Sequence, residues 1–349
     1  MTRREALLEG TRILAEQGQR GSETPSLDAS LLLAAALSIE KDRLLSSLPD
    51  EIDELSRSRF LGLVAERAKG RPVAYLVGRK EFWGHEFYVD ERVLVPRPDT
   101  ELLVELALRE GCRIGAERAS RGAAAGVATG AAITGGAVAA GAPGAVVAPC
   151  HAPLCLHEAC TGSGCVAISL ALERPGWKVS ASDISAGALA VARRNALLLP
   201  TERAGGDVDF FEADLLDLSA PADTCAEVAP EPVAVAAAAA GQAERRYDLI
   251  LANPPYVESG LARELADSWG EPLLALDGGS DGLDPYRRLV PQAFALLAPG
   301  GALLLEADPD EMPAIRDLLS GAGFEAVETA ADLAGLARVT LGKKSWTSA

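Results

Sequence analysis

The stretch Leu154-Cys155-Leu156-His157-Glu158-Ala159, which runs into Cys160-Thr161-Gly162-Ser163-Gly164, decides the fold. Its first half is a short apolar run, its second half is a turn with two glycines, and the apolar segment 166–172 follows at once. A strand, a glycine-containing turn and a helix in this order are typical of the first unit of an open α/β sheet.

The same unit recurs along the chain. Residues 178–183 predict a second strand, and residues 186–199 predict the helix that follows it. Strands that alternate with helices indicate a parallel sheet covered on both faces. The remaining apolar runs predict three further strands and then an antiparallel pair at one edge of the sheet: residues 207–212, 247–252 and 301–306, and the segment 324–341.

The part of the chain before this sheet has a different pattern. From residue 3 to about residue 69 the apolar residues fall at helical spacing, which predicts a small helical bundle over residues 1–78. Residues 79–98 concentrate the aromatic residues and predict a β-hairpin linker whose turn is Asp90-Glu91-Arg92. His85 lies in this linker, where we expect a structural role. Residues 99–349 form the third unit, which begins with a helix over about 99–109.

Two segments rich in alanine and glycine, at about 113–150 and 220–243, interrupt the third unit. The first has no charged residue between Arg121 and Glu158, and Gly122, Gly126 and Gly130 have the small-xxx-small spacing of membrane helices. Alanine and glycine contribute little insertion energy, however, and Pro143 breaks the run. Both segments are therefore predicted to be loops at the surface of one compact unit.

Composition excludes several classes of function. The 349 residues include 33 basic and 50 acidic side chains, for a net charge of −17. A field of that sign repels phosphate backbones and anionic lipids, so neither nucleic acid nor a membrane is an expected partner. The N-terminal sequence lacks the apolar core of a secretory signal, which predicts a cytoplasmic protein.

Four of the six cysteines recur every five residues: Cys150, Cys155, Cys160 and Cys165. Structural zinc sites use paired, closely spaced cysteines instead, so no metal site is predicted. The alternative that we favour is a set of small, half-buried side chains around one strand and its turn, in a reducing compartment.

Polar residues follow the predicted strands at the edge where open parallel sheets bind ligands. The first set is the turn 160–164, in which Cys160 stands where the G-x-G-x-x-G turn has its first glycine. The second is Asp183, which can accept hydrogen bonds from ribose hydroxyls; the alternative is a helix cap. The third is Asp214 with its neighbour Leu215, where the carboxylate can meet an adenine amine. Together they predict an adenosine-containing ligand.

The motif Asn253-Pro254-Pro255-Tyr256 directly follows the strand 247–252. A residue before proline is pushed to an extended conformation, and the two prolines have no N–H, so the segment is a rigid display of acceptors. The Asn253 side-chain oxygen and the Pro254 carbonyl can accept both hydrogens of a planar NH₂ group, on which Tyr256 can stack. The alternative is a proline-rich turn that ends a strand.

The order of turn, acidic residue and Asn-Pro-Pro-Tyr resembles the class I methyltransferases that use S-adenosylmethionine. More narrowly, the chain resembles the HemK/PrmC family, the release factor glutamine N5-methyltransferases. The resemblance spans nearly the whole chain apart from the two alanine-rich segments. Its matching pieces are residues 71–76, 81–83 and 95–101 (Val-Pro-Arg-Pro-Asp-Thr-Glu), 194–196, 253–257, 271–272 with 275–276, 282–284 and 338–341. Two residues depart from the family turn: Glu158 and Cys160 replace its first acid and first glycine.

The resemblance implies a Rossmann-like, mostly parallel seven-stranded sheet preceded by a helical bundle, and S-adenosylmethionine as cofactor. The implied substrate is the glutamine of the Gly-Gly-Gln motif of a class 1 peptide chain release factor, which the bundle helps to hold. Three other functions stay open. A DNA adenine N6-methyltransferase shares the tetrapeptide but conflicts with the acidic charge. An NAD-linked oxidoreductase leaves the tetrapeptide unexplained, and a non-catalytic release-factor binding protein would have lost cofactor binding at Cys160.

Overall fold

A computed structural model describes residues 1–16, 24–126, 152–199, 208–217 and 246–347. Of the two predicted insertions, residues 127–150 and 220–243 lie outside this range, as does Cys150. Within the described residues no helix has both the length and the apolar character needed to cross a membrane.

The N-terminal part is a bundle of helices, as the sequence predicts. Two side chains begin its helices: Thr2 forms a capping box with Glu5, and Asp53 accepts a hydrogen bond from the backbone N–H of Ser56. Gly10 lets the first and fourth helices approach closely, because a Cβ there would lie 2.4 Å from the ring of Phe60. The helices are α1 (Arg3–Ala15), α2 (Pro25–Leu37), α3 (Lys41–Ser46), α4 (Glu54–Ala68) and α5 (Val73–Val77).

The linker forms a hairpin, but its turn is not the predicted one. Strands β1 (Arg79–Phe82) and β2 (His85–Tyr88) pair antiparallel around Trp83-Gly84, and His85 lies opposite Phe82. Both turn residues have positive φ, 52° and 71°, which suits a two-residue hairpin turn whose twist matches that of its strands. The prediction of a turn at 90–92 was therefore wrong. The valines that follow it, Val93 and Val95, are not a strand but belong to a small core with Tyr75 of α5.

The rest of the chain builds the expected α/β sheet. Within the described residues it has seven strands in the order β5-β4-β3-β6-β7-β9-β8. Strands β3 to β7 are parallel to one another, and β9 is antiparallel to both of its neighbours, β7 and β8. The predicted edge pair is confirmed. The strands are β3 (Cys155–Ala159), β4 (Lys178–Asp183), β5 (Val208–Glu212), β6 (Tyr247–Ala252), β7 (Leu297–Glu306), β8 (Glu325–Ala331) and β9 (Ala337–Lys343).

Helices cover the sheet and divide the apolar residues into two large clusters, with Leu156 and Leu249 in one and Ile250 and Leu303 in the other. Such a layered arrangement buries nearly all of β6, the central strand. The helices are α6 (Glu101–Gly126), α7 (Cys165–Glu173), α8 (Ala186–Leu198), α9 (Ser259–Trp269), α10 (Asp284–Leu296) and α11 (Met312–Gly321).

Helix α6 is longer than the sequence predicts. We expected it to end at about residue 109, and it continues to Gly126. The reason is that buried residues recur at helical spacing past that point, at Glu110 and Ile114, and Arg113 bonds both Glu110 and Glu117 on the same helix. Residues 113–126 thus belong to the helix rather than to the predicted insertion.

The strand order fixes where a ligand can bind. From β3 the chain adds β4 and β5 on one side and then crosses to add β6 and β7 on the other. Strand order therefore reverses between the neighbours β3 and β6, and open sheets bind their ligands in the crevice at the carboxyl ends of such a switch point.

Candidate active site

A cavity of about 290 Å³ lies at this switch point. That volume is close to the lower end of the range for small-molecule sites, roughly 300–1,000 Å³. Its lining includes the following predicted residues: Cys160, Thr161, Gly162, Ser163, Asp183, Asp214, Leu215, Asn253 and Pro255. Residues from the segments 92–100, 184–188, 272–277 and 285–288, with Glu158, Cys165 and Val166, complete its walls.

Three predicted residues do not line the cavity themselves. Gly164 has φ 79° and is the N-cap of α7, and a Cβ there would lie 3.0–3.1 Å from Ile168 and Ala192, so it serves helix packing. Pro254 is buried, and Tyr256 is half-buried and packs against the apolar cluster that contains Ile250 and Leu303.

The turn after β3 is held in a left-handed conformation. Cys160 has φ 59° and Gly162 has φ 55°. At Gly162 a side chain would meet nothing within 4 Å, so the open space there is a place where a ligand can approach the backbone. Cys160 has a Cβ and is therefore strained at this angle, by about 1–2 kcal/mol. The strain falls at the residue that replaces the family's first glycine.

Glu158 ties this turn to helix α7. Its Oε2 accepts a hydrogen bond from the Thr161 hydroxyl at 2.6 Å and another from the Ala167 backbone N–H at 3.0 Å. The side chain is 2% exposed, and burial raises the pKa of Glu158 to about 8 in spite of those two bonds. The carboxyl thus favours its neutral form near neutral pH.

Asp183 joins the turn to the next helix. Its Oδ2 accepts from the Gly162 backbone N–H and its Oδ1 from the Ser185 backbone N–H, each at 2.9 Å. The cap of α8 is Ser185, whose hydroxyl accepts from Ala188 N–H, so the helix-cap alternative for Asp183 does not hold. Burial raises the pKa of Asp183, and the backbone hydrogen bonds oppose that rise. Each carboxylate oxygen keeps a further acceptor position for a ligand hydroxyl.

Asp214 lies across the cavity beside Arg288, and a 2.5 Å ion pair joins its Oδ2 to the Arg288 guanidinium. Both side chains are about half exposed, so the pair contributes little to stability. Leu215 follows with φ 57° and is 7% exposed, and its carbonyl accepts a hydrogen bond from the Ser182 hydroxyl on β4.

The tetrapeptide after β6 is held from two sides. A Cβ at Gly278 would lie 2.7 Å from Tyr256 Cα, and one at Gly282 would lie 2.3 Å from the Tyr256 carbonyl oxygen. Only glycines allow the loop 278–282 to pack so closely on the motif backbone. On the other side, Asn253 Nδ2 donates to the Thr100 hydroxyl at 3.4 Å. Burial raises the pKa of Tyr256 to about 12, so its phenol stays neutral.

The chain is similar over nearly its whole length to proteins of known family. Residues 5–78 match the PrmC N-terminal domain. The release factor glutamine methyltransferase of Burkholderia pseudomallei is 37% identical over 93% of this chain and 94% of the relative. This chain belongs to the release factor glutamine methyltransferase family. The relative of the same name from Neisseria gonorrhoeae is 35% identical over 92% and 94% of the two chains.

The cavity fits the cofactor that a family of S-adenosylmethionine-dependent enzymes needs. The open space at Gly162 and the free acceptor positions on Asp183 suit a nucleoside with ribose hydroxyls. The exposed Ile184 and the buried Leu215, both in the cavity wall, supply apolar surface for a base. The departures of this chain from the family turn, Glu158 and Cys160, leave this opening in place.

Sequence reasoning gave no site role to three residues of this site: Glu271, Thr100 and Glu306. Glu271 is 4% exposed, and its carboxylate accepts from the Val95 backbone N–H at 3.1 Å and from Arg97 at 2.6 Å, which fixes the wall 92–97 over the cavity. Thr100 and Glu306 form the contacts beside Asn253. Glu306 ends β7 as Asp183 ends β4, and that shared position was a usable signal.

Proposed function

We propose that this chain transfers a methyl group from S-adenosylmethionine to the side-chain amide nitrogen of glutamine in the Gly-Gly-Gln motif of a class 1 peptide chain release factor. The observation that carries the proposal is the position of Asn253. Its side chain lines the same cavity as the turn 160–164 and Asp183, at the carboxyl end of the neighbouring strand. A group that binds an amide and a turn that binds a nucleoside thus share one space.

The roles of the cavity residues follow from their chemistry. S-adenosylmethionine supplies an electrophilic methyl carbon bonded to a positively charged sulfur. Asp183 accepts hydrogen bonds from ribose hydroxyls, Asp214 accepts one from the adenine amine, and Leu215 contacts the base. The backbone of 160–164 approaches the cofactor closely because Gly162 presents no side chain there.

The tetrapeptide orients the substrate nitrogen. An amide nitrogen is a poor nucleophile because its lone pair is delocalised into the carbonyl. Asn253 Oδ1 and the Pro254 carbonyl accept its two hydrogens, so the nitrogen faces the methyl carbon and the positive charge that develops on it is stabilised. The N–C bond forms as the C–S bond breaks, the sulfur keeps the electron pair, and the nitrogen then releases one proton to water. Oriented proximity supplies most of the rate, within roughly 7–11 kcal/mol.

Charge near the cavity supports a protein substrate over DNA. Among the described residues that line it are three arginines, and each is paired with a carboxylate: Arg92 with Asp90, Arg97 with Glu271 and Arg288 with Asp214. Paired arginines offer phosphates no net positive surface. The protein substrate that we propose is a release factor in the cytoplasm, and the N-terminal bundle helps to hold it.

Two variants of the full-length chain test the proposal. Wild-type protein incubated with a purified class 1 release factor and S-adenosylmethionine should add one methyl group to the Gly-Gly-Gln glutamine, as read by mass spectrometry. Asn253→Ala should abolish methylation while calorimetry shows a smaller loss of cofactor affinity. Asp183→Ala should weaken cofactor binding by about tenfold or more, because it loses hydrogen bonds to the ribose.

The outcomes separate the alternatives. Wild-type protein that binds the release factor but not S-adenosylmethionine would be a non-catalytic binding protein. Methylation of adenine in DNA, with none on the release factor, would establish the DNA enzyme instead. Full activity of the Asn253→Ala variant would exclude the proposed geometry.

A further inference from the structure

Strands β6 and β7 are parallel neighbours and end side by side, at Ala252 and Glu306. Glu306 is 3% exposed, and the Tyr286 hydroxyl fixes its backbone by donating to its carbonyl at 2.6 Å. The carboxylate Oε1 accepts a hydrogen bond from the Thr100 hydroxyl at 2.9 Å. A buried acid therefore stands next to the residue that begins the tetrapeptide.

Thr100 connects this acid to Asn253. A hydroxyl has a single proton, and Thr100 gives its proton to Glu306, so toward Asn253 it can only accept. It accepts from Asn253 Nδ2 at 3.4 Å. The NH₂ end of the Asn253 amide then faces Thr100, and the oxygen of the amide is directed away from it. While Glu306 is a carboxylate, these hydrogen bonds admit only this orientation of the Asn253 amide.

The second carboxylate oxygen of Glu306 is not used by the fold. Within the described part of the chain, Oε2 is buried and makes no hydrogen bond of normal geometry. Burial raises the pKa of Glu306 to about 7, and hydrogen bonding from Thr100 and Asn253 opposes the rise. The other titratable or charged groups that face it are Asp99, Arg338, Glu158, Cys165, Tyr256 and Tyr286.

We propose that Glu306 and Thr100 are positioning residues, which hold the Asn253 amide with its oxygen toward the NH₂ group of the substrate amide. The inference rests on the proposed function and adds to it a role for the Pro-Arg-Pro-Asp-Thr-Glu segment, in which Thr100 lies. Thr100 and Asn253 both line the cavity, so the contact between them is at the site itself.

The protonation state of Glu306 sets the direction of this chain of hydrogen bonds. The carboxylate form accepts the Thr100 proton and fixes the amide as described. The protonated form can donate to Thr100, which then becomes free to donate its own proton toward Asn253 and stabilise the flipped amide. The productive orientation should therefore be lost as pH falls through about 7.

Nuclear magnetic resonance tests this inference without any substrate. The sequence contains only two asparagines, Asn195 and Asn253, so selective ¹⁵N-asparagine labelling gives two side-chain amide signals. Asn195 is the internal control, because its amide is fully buried and bonded to Tyr88 and Ser163. The Asn253 signal should shift between about pH 6 and pH 8 and the Asn195 signal should not. The shift should vanish in Glu306→Gln and become smaller in Thr100→Val, in which only the direct contact between Asn253 and Glu306 remains.

Kinetics on the release factor tests the consequence. Thr100→Val should lower kcat by about tenfold or more, which is the loss of roughly one hydrogen bond, with cofactor affinity within about twofold of wild type. Thr100→Ser should restore kcat. Thr340→Val, which removes another buried hydroxyl outside the cavity, is the matched control and should keep kcat.

The two proposals fail differently. A wild-type kcat in Thr100→Val, or an Asn253 signal that titrates identically in wild type and Thr100→Val, overturns the positioning role. If Glu306→Gln does not fold, Thr100→Val decides alone. Wild-type protein that methylates no release factor contradicts the proposed function, whereas the labelled amide still reports whether Thr100 and Glu306 hold Asn253.

Discussion

Cys160 holds a backbone angle that glycine adopts freely and other residues do not. Replacement by glycine relieves about 1–2 kcal/mol of strain but adds entropy to the unfolded chain, about 0.4–1 kcal/mol. Replacement by alanine loses the same thiol contacts and does not relieve the backbone strain. We therefore expect Cys160→Gly to be more stable than Cys160→Ala by about 1 kcal/mol in urea denaturation. Equal stability of the two variants would show that this turn is unstrained.

Glu158 makes the stability of the chain depend on pH. Its pKa is raised to about 8 and that of Glu306 to about 7, from an ordinary value of 4.5. Between 4.5 and these values the folded chain holds protons that the unfolded chain has released, so the free energy of unfolding falls as pH rises. Each such group contributes a slope of up to about 1.4 kcal/mol per pH unit.

Glu158→Gln should remove one of these two contributions. The glutamine oxygen can still accept from Thr161 and Ala167, so the turn keeps its hydrogen bonds. We expect denaturation midpoints of the variant to fall less than those of wild type between pH 5.5 and pH 8. Glu105→Gln, at an exposed position on α6, should behave like wild type. A Glu158→Gln variant as pH-sensitive as wild type would contradict the assigned cause.

The residues of the site differed in how far sequence could predict them. Asp183 ends one predicted strand and Asn253 follows another, and parallel strands bring their carboxyl ends to one edge, so their proximity was predictable. Thr100, by contrast, comes from a segment before the sheet. Its contacts with Glu306 and Asn253 span more than 150 residues, which local pattern does not reveal.

Strands and helices were predicted best where burial determines the spacing of their apolar residues. The strands β3, β4 and β6 are nearly fully buried runs, and alternation with helices gave their parallel order. The hairpin failed because Trp83 adopts a positive φ against its intrinsic preference, so the tight turn had no sequence signal beyond one glycine. Helix α6 was cut short because its alanine- and glycine-rich end has the composition of the insertion that follows it.

Two glycines on α6 test its observed length. A Cβ at Gly111 would lie 2.4–2.5 Å from the Trp177 ring, whereas one at Gly122 meets nothing within 4 Å. Gly111→Ala should therefore destabilise the chain by about 1–3 kcal/mol through overpacking. Gly122→Ala should stabilise it by up to about 1 kcal/mol, because alanine favours a helix interior. Both are measured by thermal denaturation, and destabilisation by Gly122→Ala would mean that the helix ends before that residue.

At the scale of the whole molecule, Tyr75 is one of the side chains that join the bundle to the cavity wall. The Tyr75 hydroxyl of α5 donates to the Val93 carbonyl at 2.5 Å, and Val95 in turn donates its backbone N–H to Glu271. Tyr75 also packs with Val93 and Val191 in the small core between bundle and sheet. Removal of the whole bundle would therefore disturb the cavity wall as well as any surface that binds a release factor.

A chain shortened to begin at Arg71 separates the two effects, because it keeps α5 and Tyr75 and loses α1 to α4. If the bundle holds the release factor, the KM for the whole factor should rise by about tenfold or more, which is a loss of roughly 1.4 kcal/mol of binding. Calorimetric affinity for S-adenosylmethionine should stay near the wild-type value, since the cavity wall is intact. The full-length Tyr75→Phe variant is the converse control: it keeps the bundle, loses the hydrogen bond to Val93, and should change cofactor affinity more than the KM for the factor. An unchanged KM in the shortened chain would mean that the methyltransferase part recognises the release factor without the bundle.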